Sequence, residues 1–167
     1  LDNHDEQRLA SPEFAGTPEK GKPLMVVSAT ISTSPTMIYF GQEVGEAGNE
    51  NGGFGTHSRT SIFDYVGVPN HQRWMNGGKF DGGALTAEEK QIDAFYQDLF
   101  KRVANSEAIS KGDFFDLQYA QSANYPANKV YSFLRYTKNE RLLIICNFDA
   151  QRAQTIDVVI PTLAMDM

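Results

Sequence analysis

The chain has 167 residues, of which 41% are hydrophobic and 22% charged, a globular composition that can bury a core and does not force disorder. Its formal net charge is -6 and its pI is near 5.0; with no cluster of Lys and Arg it lacks the footprint needed to neutralise a phosphate backbone, which excludes a nucleic-acid partner. No apolar stretch approaches the roughly 20 residues that span a bilayer, so no membrane span is expected, and no signal peptide is visible.

In chain order, residues 24–34 carry Leu24, Val27 and Ile31 at helical spacing, with Pro23 suited to a first helical position and Pro35 closing the segment. Met37-Ile38-Tyr39-Phe40 is a continuous apolar run stopped by Gly41, which predicts a strand buried on both faces as in a helix-covered parallel sheet. Residues 43–85 are glycine-dense and aperiodic and predict one long loop, packed rather than loose because it carries Ile62, Phe63, Tyr65, Val66, Trp74 and Phe80. Thr86-Ala87-Glu88-Glu89 is a capping box, and Ile92, Phe95, Tyr96, Leu99, Phe100 and Val103 fall on one stripe, predicting a helix to about Ala104.

Beyond Ser110 the pattern changes to short strands over residues 114–117, 130–136, 142–148 and 155–160, with residues 137–141 a polar hairpin connection. Phe114, Phe115, Tyr131 and Phe133 are expected in a sandwich core. Cys146, in the run Leu142-Leu143-Ile144-Ile145, cannot form an internal disulfide and reads as a small buried hydrophobe. These patterns divide the chain near Lys111.

The candidate chemistry lies at the start. His4, Asp5 and Glu6 are adjacent. By residue type alone they form either a polar loop or helix start with one histidine or part of a site. A metal centre would need a further ligand at helical spacing, and none follows. Asp5 and Glu6 would point opposite ways in an extended chain, so they cannot supply both carboxylates that glycoside hydrolysis requires. Glu43 reads as a strand-end carboxylate pairing with an arginine or as support for a site. Trp74 and Tyr65 read as packed loop aromatics or as sugar-stacking rings. His57 and His71 read as surface loop residues.

Leu1-Asp2-Asn3-His4-Asp5-Glu6-Gln7-Arg8 resembles the Asn-His-Asp segment after the seventh barrel strand of the alpha-amylase superfamily of glycoside hydrolases. Pro35-Thr36-Met37-Ile38-Tyr39-Phe40-Gly41-Gln42-Glu43 resembles that family's eighth strand with its Gly-Gln-Glu end. Arg59-Thr60-Ser61-Ile62-Phe63-Asp64-Tyr65 resembles the following loop, residues 85–103 the last barrel helix, and the late strands the start of the C-terminal β domain.

The resemblance implies an α/β fragment, the last quarter of a (β/α)8 TIM barrel over residues 1–110, followed by an antiparallel all-β sheet or sandwich domain, truncated, over residues 111–167. It implies part of a retaining hydrolase acting on alpha-glucans such as starch and maltooligosaccharides. Asp5 would be the third catalytic carboxylate, His4 and Asn3 would bind the same sugar, and Glu43 would support them. The nucleophile and the acid/base would lie upstream of Leu1, so this chain alone is expected to be inactive. No cofactor is expected in this chain, while calcium is expected in the full-length parent, and the family favours an extracytoplasmic location. A barrel quarter exposes edges and apolar faces, so residues 1–40 are expected to lean on a partner or a second copy, or to rearrange. The rival readings are a non-catalytic carbohydrate-binding or interaction module and an alpha-glucan transferase or isomerase of the same superfamily.

Overall fold

The capping box closes as its residues require. In the computed structural model, which describes residues 2–62 and 67–165, the Thr86 N–H donates to Glu89 Oε2 at 2.9 Å and the Glu89 N–H donates to Thr86 Oγ1 at 3.2 Å. The helix they start, α3, runs Ala87–Asn105 and buries Ile92, Tyr96 and Leu99, the centre of the stripe read from the sequence. The other helices among the described residues are α1 (Pro18–Thr30), α2 (Pro69–Met75), α4 (Glu107–Ser110) and α5 (Thr162–Met165). The strands are β1 (Asp113–Asp116), β2 (Val130–Tyr136) and β3 (Arg141–Asn147), paired antiparallel in the order β1-β2-β3.

The described residues therefore form an α/β arrangement with one three-stranded antiparallel sheet. The expected quarter of a (β/α)8 barrel followed by a sandwich is not there. The decisive segment is residues 36–40, which form no strand. A strand buried on both faces needs a ladder partner; here the Tyr39 N–H donates to Gln42 Oε1 at 3.2 Å and its carbonyl accepts from the Gln42 N–H at 2.9 Å. Gly41 supplies the left-handed φ of +80° that this tight turn demands, and Met37 is left 60% exposed. The exposed barrel edges that would call for a second copy fall with the barrel.

The chain divides into two compact units. The first comprises Leu1–Lys22 and Thr36–Leu99. Thr17 starts α1 within it, accepting from the Lys20 N–H at 3.3 Å ahead of Pro18, so the helix begins earlier than the spacing of Leu24, Val27 and Ile31 predicts and carries Pro23 in its interior. The long loop expected over residues 43–85 contains α2. Its start has no side-chain cap of its own; the buried Glu46 supplies one from a distance, Oε2 accepting from Asn70 N–H at 2.9 Å and His71 N–H at 3.4 Å. Arg73 of α2 then grips Glu89 of α3 through Nε and Nη2. Burial pushes the Glu89 carboxyl up, but bonds from Arg73 and the Thr86 N–H leave it below its ordinary range. Phe63, Asp64, Tyr65 and Val66, which the sequence placed in this loop, lie outside the described residues, as does Leu1.

The second unit comprises Pro23–Pro35 and Phe100–Met167. Its three strands fall within a residue of the expected positions, and Phe133, Val130 and Leu117 are buried there. Phe114, expected in a core, is 39% exposed on β1, an edge strand with no second sheet to cover it. Residues 155–160 form no strand. Gln121 anchors them, its amide donating to the Val159 carbonyl at 3.0 Å and accepting from the Val159 N–H at 3.0 Å.

Arg135 of β2, buried to 2% exposure, organises this unit. Its Nε donates to Ala108 O at 3.2 Å, Nη1 to Ile31 O at 3.2 Å, and Nη2 to Ile109 O at 3.0 Å and Gly112 O at 2.7 Å. These carbonyls lie at or just beyond the C-terminal ends of α4 and α1, where helix carbonyls run short of partners; Ala108 O also accepts from the Gly112 N–H at 3.2 Å. At the other end of α4, Glu140 Oε2 accepts from the Ala108 N–H at 2.7 Å and the Ser106 hydroxyl at 2.9 Å. A four-residue helix thus has an acid at its start and a cation at its end, each matching the helix dipole. Replacing Arg135 with Leu would remove four hydrogen bonds to buried carbonyls, of which Ala108 O keeps the Gly112 N–H, and unfolding followed by circular dichroism in urea should show a loss of about 3 kcal/mol or more.

Candidate functional site

The Asn-His-Asp segment forms a tight turn. Asn3 Oδ1 accepts from the Asp5 N–H at 2.8 Å and the Glu6 N–H at 3.0 Å, the Asx pattern that lets an asparagine side chain stand in for backbone. The turn presents His4 and Asp5 outward, their side chains 48% and 75% exposed, with His4 Nε2 3.2 Å from Asp5 Oδ2. The structure so brings Asn3, His4 and Asp5 into one constellation.

Beneath them lies a charged pair that the sequence reading passed over. Asp2 and Arg8 are fully buried. Asp2 Oδ2 accepts from the Leu9 N–H at 3.3 Å, and Oδ1 is 3.9 Å from Arg8 Nη1. The Arg8 guanidinium lies over two rings, 4.5 Å from the Tyr39 centroid and 5.1 Å from that of Phe40, within cation–π range. Tyr39 is itself fixed by its hydroxyl, which donates to Thr60 O at 3.0 Å. None of the three guanidinium nitrogens has a hydrogen-bond partner among the described residues.

Burial governs the electrostatics. It pushes the Asp2 carboxyl up to about 6 against the pull of Arg8 and of the Leu9 N–H. It lowers the Arg8 guanidinium, opposed by Asp2, Glu46, Tyr39 and Glu43. Glu43 sits on a 3-10 turn (Gln42–Val44), half-buried, with Oε2 lacking a hydrogen-bond partner among the described residues. Its charge reaches Arg8 and Tyr96. Tyr96 is pushed up by burial while Gln42 Nε2 donates to its hydroxyl at 3.1 Å.

His71, read as a surface loop residue, is half-buried on α2. Its ring lies 5.4 Å from Phe40 and stacks on Trp74 at 5.8 Å. Trp74 is half-buried and meets Phe80 edge-on at 6.0 Å, while Phe80 is 57% exposed. His57 is exposed, and Tyr65 lies outside the described residues. Cys146 is buried and free, its thiol pushed up by burial to about 11, which makes it inert.

Among the described residues no group of three or more His, Cys, Asp or Glu side chains is placed to hold a metal ion, and no helix is long and apolar enough to cross a membrane. Comparison with protein-family models, with curated proteins and with solved structures gives no match to this chain. The arrangement itself offers a close His4–Asp5 pair at the surface, beside the buried Asp2 and Arg8.

The raised Asp2 carboxyl makes stability depend on pH with a definite sign. The folded state holds this proton more tightly than the unfolded state, so the contribution is full below the unfolded value of 3.8 and is lost as pH rises through about 6. Comparing this chain with its Asp2→Asn variant in urea, the stability of the native sequence relative to the variant should fall by on the order of 3 kcal/mol between pH 3.5 and pH 7. A constant difference across that range would show that Asp2 is not buried as described.

Proposed function

We propose that this chain is part of an alpha-amylase-type retaining glycoside hydrolase acting on alpha-glucans, with Asp5 and His4 as its contribution to the sugar site. The observation that carries the reading is the exposed His4–Asp5 pair, 3.2 Å apart, on a turn fixed by Asn3, inside the segment that resembles the family's Asn-His-Asp. The placing of Glu43 within electrostatic reach of Arg8 supports it.

The chemistry follows from the groups. An ionised Asp5 accepts hydrogen bonds from sugar hydroxyls, and a charge-assisted bond that tightens as the ring distorts toward the oxocarbenium-like state lowers the barrier of the chemical step. His4 offers a second contact to the same sugar. By the resemblance, the nucleophile and the acid/base belong to the part of the parent upstream of Leu1, and this chain supplies the supporting carboxylate. A calcium site in the parent and its extracytoplasmic location belong to the same proposal.

A non-catalytic carbohydrate-binding module is the second reading. It draws on the exposed Phe80 ring packed against Trp74, since aromatic faces suit the apolar faces of sugars. An alpha-glucan transferase or isomerase would share every motif named and would be separated by chromatography of the products. The parent protein should release reducing sugar from starch or maltooligosaccharides, and this chain alone should release none. Asp5→Asn in the parent should cut turnover by about a hundredfold or more; full activity in that variant would remove Asp5 from the mechanism, and a parent that binds glucan without cleaving it would favour the module.

A further inference from the structure

The Asx turn fixes the internal shape of residues 3–6, but it does not fix where that turn points. Direction is set where the two ends enter the body of the unit, the leading end held by a side chain and the trailing end by a side chain and one backbone bond. At the leading end Asp2 turns inward, 1% exposed, and its Oδ2 accepts from the Leu9 N–H across the base of the turn. At the trailing end Arg8 turns inward, 0% exposed, while its N–H donates to Ser58 O. The guanidinium then reaches both Asp2 and the Tyr39 and Phe40 rings.

Arg8 thus stands at the trailing end of the turn and reaches both its leading end and the wall behind it. Its packing is also unusual for a purely structural group. A buried guanidinium held for stability alone has its N–H groups taken up by acceptors, as Arg135 has through four carbonyls. Arg8 instead lies over rings beside Asp2, with Glu43 and Glu46 also within electrostatic reach. Its position is set by charge and ring faces, which act on the direction of the side chain.

We infer that Arg8 is the positioning residue for the exposed His4–Asp5 pair, acting through Asp2 and the Tyr39 and Phe40 rings; as a statement about sugar binding it rests on the function proposed above. Arg8 itself meets no substrate. Removing it leaves Asp2 a buried carboxylate without its counter-charge, and the base of the turn opens while the Asx bonds lose their fixed direction.

The test is backbone amide hydrogen exchange by NMR on this chain. In Arg8→Met the Asp5 and Glu6 amides should exchange at least about tenfold faster than in the native sequence, while amides in the middle of α3, such as those of Tyr96 and Leu99, stay within about twofold. Arg8→Lys, which keeps the cation but not the planar fork, should recover part of the protection. Unchanged exchange at Asp5 and Glu6 in Arg8→Met overturns the inference. If Arg8→Met loses protection throughout the chain, Asp2→Asn decides by the same criterion, since it keeps the side-chain shape and an oxygen for the Leu9 N–H while removing the charge that Arg8 engages. In the parent protein, Arg8→Met should lower kcat at least about tenfold. A parent without glycosidase activity defeats the proposed function and leaves the exchange result standing on its own.

Discussion

A buried guanidinium is costly unless its donors and its charge are answered, and the second unit is arranged around one whose Nε, Nη1 and Nη2 all donate to carbonyls. Arg135 collects four carbonyls from the end of α4, the turn after it and the residue following α1. Burial lowers its guanidinium from the ordinary value and the nearby Asp113 opposes that shift. Glycine at position 112 belongs to the same construction, because a Cβ there would run into the Ala108 and Tyr136 carbonyls. Strand β2 and the end of the short helix α4, whose start is held by the Glu140 carboxylate, meet at this one cation.

The first unit treats its buried cation differently. Arg8 has rings and a carboxylate around it but no hydrogen-bonding acceptor among the described residues. Buried polar groups that are completely satisfied rigidify a fold, and those that are only partly satisfied mark places where local stability has been given up. Here that place lies directly under the most exposed acidic and imidazole groups of the N-terminal turn. A raised Asp2 carboxyl is the electrostatic record of the same compromise.

The sequence exposed some of this and hid the rest for physical reasons. The capping box and the stripe of α3 were legible because both are local and periodic, and β2 and β3 were legible because their apolar runs are bounded by polar residues 137–140. The segments that misled were also apolar runs. Met37-Ile38-Tyr39-Phe40 and residues 155–160 have strand composition, but strand formation is decided by a partner, and composition does not name one. Helix α2 was hidden because its N-terminal cap, Glu46, comes from more than twenty residues away. In the candidate site, Asn3, His4 and Asp5 were legible as a motif. Asp2 and Arg8 were not, since two opposite charges six residues apart look like ordinary surface polarity until a turn folds them beneath it. His71 was misplaced on the surface because nothing in its neighbours announces the stack on Phe40 and Trp74.

The Gln121 amide holds residues 155–160 in a different way from a ladder. A ladder fixes register through many equivalent bonds, any of which can fray alone. Gln121 fixes it through two bonds to the same residue, Val159, from one rigid planar group, so the two tend to be made or broken together and the attachment behaves as a latch. An amide does not titrate, and this latch holds with equal strength across the range in which Asp2 gains and loses its proton. The two halves of the chain are thus tied down by devices with opposite sensitivities: acidity reaches the turn that carries His4 and Asp5 and leaves the C-terminal segment where it is.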